Sequence, residues 1–210
     1  MARLPLTEPR KKPSQSRAQA TVDALVKATA HILVKSGYER ATTNKIAQAA
    51  GVSIGSLYQY FPSKEALVAA VIDRHQRDMM QVIRAALTRV GSRPVKVAVR
   101  ELVKVMIDAH RIDPKLHRVL VEQTPRVGRL ENVAAFERES VTLVGAYLRA
   151  HHEELALTNL ELAAFVCVTA VEALTHAAVV DRTNPLSDEE VNELVTHVTR
   201  LVVRYLAHDA

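Results

Sequence analysis

Cysteine occurs once in the 210 residues, at Cys167, and tryptophan does not occur at all. A single thiol cannot close a disulfide within the chain or give a metal a thiolate cluster. The opening residues MARLPLTEPRKKP lack the apolar run of a secretory signal. The longest apolar run, 162–180, is interrupted by Glu172 and His176 and reads as a buried helix, not a membrane span. There is no HExxH, no phosphate-binding glycine loop, no nucleophile elbow and no cysteine pair. Enzymes that announce themselves by motif are thereby set aside. Strand alternation, hairpin turns and internal repeats are also missing. The expectation is an all-α, non-enzymatic, cytoplasmic protein with no cofactor and no bound metal.

Positive charge is what the first third has in excess. Residues 1–64 hold ten Lys or Arg and three acids, a net of +7; the remainder holds 18 basic and 20 acidic residues, a net of −2. A polyanion would therefore be met by the N-terminal part. Residues 1–17 carry Arg3, Arg10, Lys11, Lys12 and Arg17 among three prolines. They read as a disordered basic arm, either tracking phosphates or merely solubilising.

From there the spacing predicts about nine helices. Val22, Leu25, Val26, Thr29, Ile32 and Leu33 form one stripe of a first helix, which Gly37 is placed to end. A short second helix starts at Thr42 or Thr43 and ends near Ala50; Gly51 makes a turn, Ser53 caps a third helix and Pro62 closes it. Ser63 opens a fourth helix with no breaker before Gly91, about 40 Å of rod. Pro94 permits a fifth to near Ile112, and Asp113-Pro114 starts a sixth. A seventh runs from about 131 to 152. Thr158 with Glu161, and Ser187 with Glu190, have capping-box spacing and start the last two. The predicted divisions are the arm (1–17), a helix-turn-helix domain (18–62) and a regulatory and dimerisation domain (63–210).

The segment TTNKIAQAAGVSIGSLYQYFPSK, residues 42–64, carries the clearest chemistry. Ile46, Ala47, Ala50, Val52 and Leu57 suit the inside of two crossed helices, and Gly51 the turn between them. Phe61 reads as core. Thr42, Thr43, Ser56, Tyr60 and Lys64 offer the hydroxyls and ammonium that phosphates accept. Ser53, at the head of the third helix, joins the DNA-binding candidates. Asn44, Lys45, Ile54, Gly55, Tyr58 and Gln59 are better placed for base edges.

These residues resemble the TetR/AcrR family of transcriptional regulators. The likeness rests on Gly37-Tyr38, Ala41-Thr42-Thr43, Ile46-Ala47, Ala50-Gly51-Val52-Ser53, Leu57-Tyr58-Gln59-Tyr60-Phe61 and Lys64-Glu65-Ala66-Leu67, across roughly residues 20 to 70. It implies phosphate contacts at Thr43, Ser56, Tyr60 and Lys64. It implies positions at or near bases for Asn44, Ile54, Gly55, Tyr58 and Gln59. Ile54 is apolar where some relatives are polar. The family implies a homodimer on a palindromic operator, acting as a repressor that a small ligand releases.

In the remainder, 162–180 is apolar nearly all round, and Val191, Leu194, Val195, Val198, Leu201, Val202, Tyr205 and Leu206 form one stripe. These last two helices are expected to pair between subunits, with Ala163, Ala164, Ala170, Ala173, Ala177 and Ala178 permitting close approach. Met106, His110, Gln123, Phe136, Tyr147, Phe165, Cys167, Thr169, Glu172 and His176 are candidates for an apolar pocket with a few polar anchors. Glu172 and His176 also stand at the spacing of a simple intrahelical pair. Two alternatives stay open: a metal-responsive regulator using His110, His117 or His176, and a DNA-binding protein with no effector. His151, His152, Glu153 and Glu154 read as a polar helix end.

Overall fold

The computed structural model describes residues 8, 16–182 and 184–207. Of the expected arm only Glu8, Ser16 and Arg17 lie within them. The described residues form nine α-helices: α1 Ser16–Arg40, α2 Thr43–Ala50, α3 Ile54–Tyr60, α4 Lys64–Val90, α5 Val95–Ile112, α6 Pro114–Gln123, α7 Leu130–Ala150, α8 Leu160–Val179 and α9 Asp188–Leu206. A single 3-10 turn, His152–Glu154, follows α7. The fold is all-α, as the sequence predicts.

Several ends differ in detail from the expectation. Gly37 has φ 74° and ψ 169°, and α1 continues past it to Arg40. The glycine is non-helical and separates two helical segments, as expected, with helix resuming beyond it to Arg40. The cap of α8 is Asn159, whose side chain accepts from the Leu162 amide, and not Thr158. The capping box of α9 is as expected: Ser187 accepts from the Glu190 amide, and the Glu190 carboxylate accepts from the Ser187 amide.

Contacts divide the chain into two units, Met1–Gln76 with Lys115–Val133, and Arg77–Pro114 with Ala134–Ala210. The first is built on Leu25, Leu33, Ile46, Leu57, Phe61, Leu67 and Val68, with Leu120 and Val127 contributed from far along the chain. Each such side chain gains roughly 1.5–3 kcal/mol on full burial. That matters most for α3, whose seven residues are too few to be helical in isolation. Leu57 at 0% and Phe61 at 1% exposure anchor it.

Polar groups fasten Lys115–Val133 to the same unit. Asp73 on α4 accepts from Asn132 Nδ2 at 2.8 Å and lies 3.3 Å from the buried Arg129 guanidinium. His75 Nε2 and His117 Nδ1 share a hydrogen bond of 2.7 Å.

In the second unit α5 packs on α8 and α9, which also pack on each other. Its main core includes Val99, Val103, Ile107, Leu148, Cys167, Val195, Val198 and Val202. A smaller cluster gathers Met79, Ile83, Met106 and Ala109, with Phe136 and Val171 partly buried beside it. Ala163 and Ala164 are buried inside this unit, where Gly145 of α7 leaves room: a Cβ there would lie 3.6 Å from that of Ala164. They therefore serve packing within the subunit, not an open face. The exposed apolar side chains of α8 are instead Leu162 and Phe165, three residues apart, and Leu174 on another side, each at least 40% exposed. By length and hydropathy α8 is the one described helix capable of crossing a membrane.

Candidate nucleic-acid interface

Local capping builds the helix-turn-helix. Thr42 sits in extended geometry and its hydroxyl accepts from the Lys45 amide at 3.3 Å, starting α2. Gly51 ends α2 at φ 68°, with the Val52 amide reaching back to the Ala47 carbonyl at 3.0 Å. A side chain at that φ is strained, so glycine is the residue that permits so tight a turn. Two residues later Ser53 accepts from the Ser56 amide at 3.0 Å and starts α3.

This turn sends Ile46, Ala47 and Leu57 inward and leaves a polar row outside. Asn44, Lys45, Ile54, Gly55, Tyr58 and Gln59 are exposed, as are Thr42 and Ser53. Ile54 is 39% and Tyr58 41% exposed. Thr43, Ser56, Tyr60 and Lys64 are half-buried. The hydroxyls of Thr43 and Tyr58 meet at 3.1 Å, and those of Ser53 and Ser56 at 2.9 Å. Each hydroxyl donates once and accepts twice, so these pairs orient the groups and leave capacity for a ligand. Lys45 Nζ donates to the Arg40 carbonyl at 3.1 Å. A Cβ built on Gly55 would meet nothing nearer than Ser53 Oγ at 3.8 Å. The fold therefore tolerates a side chain there.

Lys64 is held at the edge of this surface. Its Nζ lies 3.9 Å from the Tyr38 ring centre and donates to the Tyr38 carbonyl at 3.1 Å. The Tyr38 hydroxyl donates to Glu65 Oε1 at 2.9 Å. Burial, followed by that carboxylate, pushes the Tyr38 phenol up to about 12. Burial resists charge on Glu65. Hydrogen bonds from its own amide, Tyr38 and Ser63, together with the Lys64 charge, outweigh it and hold the carboxyl below its usual range. Arg126 pairs with Glu39 at 2.7 Å, its guanidinium 5.6 Å from the Tyr38 ring centre. Sequence reasoning missed this cluster. Tyr38 and Glu65 stood in the motif without a role, and Arg126 carries no local signal.

The candidate ligand residues are not all brought together. Met106 and Phe136 share the small apolar cluster, while Tyr147 and Cys167 belong to the main core of the second unit. The Tyr147 hydroxyl donates to the Arg93 carbonyl at 2.7 Å. Burial holds the Cys167 thiol at about 12. Phe165 and Thr169 are exposed one turn apart on α8, so they do not line the interior of the unit. Gln123 is buried, but in the first unit.

His110 is enclosed, its Nδ1 2.8 Å from the Met106 carbonyl and its Nε2 3.4 Å from Glu172 Oε1. Burial opposes a charge on His110, but the hydrogen bond and charge of Glu172, with the Met106 carbonyl, raise its pKa above the ordinary imidazole value. His176 Nδ1 lies 3.5 Å from Asp181. Glu172 thus lies against His110, and His176 against Asp181.

Two family descriptions match the chain. One is the N-terminal model of bacterial regulatory proteins of the tetR family, over residues 25–71; the other is a tetracyclin repressor-like C-terminal domain, over 94–206. The nucleoid occlusion factor SlmA of Haemophilus ducreyi is 32% identical over 116 residues, 55% of each chain. The chain thus spans about half the length of the curated relatives it matches. A putative TetR-family regulator from Mesorhizobium loti superposes with a TM-score of 0.78 at 17% identity, covering 92% of this chain and all of that one. The fatty acid degradation regulator FadR of Bacillus halodurans gives 0.68 at 21%, covering 95% and 100%. At these identities the structures share the fold alone.

Proposed function

The chain belongs to the TetR family of bacterial regulatory proteins and is a DNA-binding regulator, and we propose that it represses transcription as a homodimer on a palindromic operator until a small ligand releases it. The observation that carries this reading is the division of α3. Leu57 is fully enclosed, while Ile54, Gly55, Tyr58 and Gln59 face out. A helix placed in a major groove needs such a row. In this reading Thr42, Thr43, Ser53, Ser56, Tyr60 and Lys64 hold phosphates and fix register. Lys64 gives one donor to Tyr38 and keeps two for a phosphate oxygen. Asn44, Lys45, Ile54, Gly55, Tyr58 and Gln59 meet base edges, with Ile54 suited to a thymine methyl.

DNA reading is assigned to residues 18–62, and regulation and dimerisation to 63–210. The exposed apolar positions of α8 and α9, Leu162, Phe165, Leu174 and Leu201, support pairing with a second copy. The helix α4 runs unbroken from the end of the DNA-reading segment into the second unit. A ligand that prefers one setting of α4 would shift the spacing of two recognition helices, which must match about 34–36 Å of duplex. The bacterial cytoplasm, where the DNA lies, is its place of action.

Footprinting on genomic fragments tests the reading. A protected site with two-fold symmetry and half-sites one helical turn apart is expected. Protection without sequence preference would overturn it. A second reading, a DNA-binding protein with no small-molecule effector, is favoured by the relatives named nucleoid occlusion factors. Operator affinity unmoved across a metabolite panel would support it.

A further inference from the structure

We infer that Arg126, on the turn between α6 and α7, is a further contact to the DNA backbone and grips a phosphate beside the one given to Lys64. The inference rests on the DNA-binding reading and extends it to a residue far along the chain from the helix-turn-helix.

The turn is held firmly to the first unit, which contains the helix-turn-helix as well. Thr124 is buried, and its hydroxyl donates to the Leu120 carbonyl at 2.8 Å. The Val127 amide donates to the Gln123 carbonyl at 3.2 Å, and the Arg129 amide to the Thr124 carbonyl at 3.2 Å. Gly128, at φ 68°, supplies the left-handed step of the turn. Val127 is fully enclosed in the core that holds Leu57 and Phe61. The Arg129 guanidinium lies 3.3 Å from Asp73 and 2.7 Å from Glu8. Between the buried Thr124 and Val127, Arg126 is 57% exposed. A rigid turn therefore presents a wet guanidinium.

What Arg126 meets is the edge given to phosphates. Its Nη1 donates to Glu39 Oε1 at 2.7 Å. Its guanidinium carbon lies 5.6 Å from the Tyr38 ring centre, and Lys64 Nζ lies 3.9 Å from the same centre. One ring thus gathers two cations, each within the range of cation–π attraction. Tyr38 and Glu39 stand near the end of α1, shortly before Thr42, which caps α2. The guanidinium is therefore close to the starts of both α2 and α4, where Thr42, Thr43 and Lys64 are given to the backbone.

Its present partner is easily exchanged. The Glu39 side chain is 78% exposed, and ion pairs so wet contribute little to stability. A guanidinium carries five N–H donors in a planar fork. The bond to Glu39 uses one of them and leaves others for phosphate oxygens. Glu39 has the same sign of charge as the DNA backbone, so it orients Arg126 while opposing the approach of the duplex.

The competing arrangement is a plain surface ion pair with no part in binding. Fluorescence anisotropy of the full chain on a genomic duplex that it protects and on an unrelated duplex, across a salt series, separates the two. Arg126→Ala should weaken binding about tenfold on both duplexes and lower the salt slope by about one. Arg126→Lys should restore the slope, because a phosphate reads charge before shape. Glu39→Gln should tighten binding about threefold. Urea midpoints of all three variants should stay with that of the parent. Arg126→Ala that binds with the parent's affinity and slope, or more weakly with an unchanged slope, would overturn the assignment in favour of the ion pair. Lys64→Ala in the same series keeps the readings apart. A slope lowered by Lys64→Ala alone removes Arg126 and leaves the phosphate role of Lys64 standing; one lowered by Arg126→Ala alone does the reverse. A failed footprint leaves the unrelated duplex, on which backbone contacts are still read.

Discussion

The helices α3 and α8 both spend most of their surface on the outside, yet what they show there is opposite. The seven residues of α3 bury Leu57, and the twenty of α8 bury Ala163, Ala164, Cys167 and Thr175. The outward row of α3 presents a hydroxyl, an amide and a bare backbone, with Ile54 its one aliphatic side chain. That of α8 presents Leu162 and Phe165. Water satisfies the first row but not the second. An exposed polar row is stable alone and gains specificity from a partner with a matching pattern. An exposed apolar row loses free energy for as long as it stays wet, about 25 cal/mol for each Å². The difference teaches which association is conditional. In the proposed reading, contact through α3 would come and go with salt and ligand, whereas contact through α8 would be driven by area and persist.

The largest test of that contrast is Phe165→Glu. A charge in the middle of an apolar interface costs about 2–4 kcal/mol, so self-association by sedimentation should weaken on the order of a hundredfold. Operator affinity should fall with it, because a monomer grips one half-site. A Phe165→Glu protein that remains dimeric at micromolar concentration would remove α8 from the interface.

Next come the two kinds of polar contact. Gln59→Ala should reorder operator preferences by about 1–3 kcal/mol at one base pair. Lys64→Ala should lower affinity for every sequence and reduce the salt slope by about one. Gel shifts over a mutated operator set at two salt concentrations read both. A uniform loss for Gln59→Ala would move it to the phosphate group.

The two glycines sharpen the comparison further. Gly51→Ala forces a side chain into left-handed backbone and should cost about 1 kcal/mol in urea unfolding. Gly55→Ala meets nothing closer than 3.8 Å and should leave unfolding unchanged or slightly improved, while weakening DNA binding by crowding the groove. Equal DNA affinity would show that the backbone at Gly55 does not approach the duplex.

The smallest expected effect is a pH dependence. The folded Glu65 pKa is depressed, so its contribution is present above the unfolded carboxyl value, about 4.3, and is lost as pH falls through the lower folded one. Glu65→Gln should therefore be less stable than the parent at pH 7, with the gap narrowing as pH falls below the unfolded value. A gap that is constant with pH would show that packing, not charge, sets the value of this residue.

The helix-turn-helix was legible because its signals are local. Thr42, Gly51 and Ser53 act on amides within four residues, so their chemistry can be read without knowing the fold. Where two neighbours offer the same chemistry, pattern fails: Thr158 and Asn159 are both good caps, and the backbone chose Asn159. Gly37 was read as the end of the first helix, and its backbone does break it; the short helical segment that follows, to Arg40, was not foreseen. The Tyr38–Lys64–Glu65 cluster and the docking of Leu120 and Val127 join residues 26 or more apart. Periodicity holds no information about such pairs. The pocket residues show the same limit. Helical spacing marked Met106 and His110 as interior, but could not separate them from Phe165 and Thr169, since α8 is apolar on nearly every face.

Cys167 has a practical consequence. Enclosed among apolar side chains and held near pKa 12, its thiol carries almost no thiolate at neutral pH. Maleimides and similar reagents should therefore pass it by in the folded protein. A cysteine introduced at Gln59 would be the reactive one, so a fluorescent or spin label can be placed on the outward row of α3 without first removing the native residue.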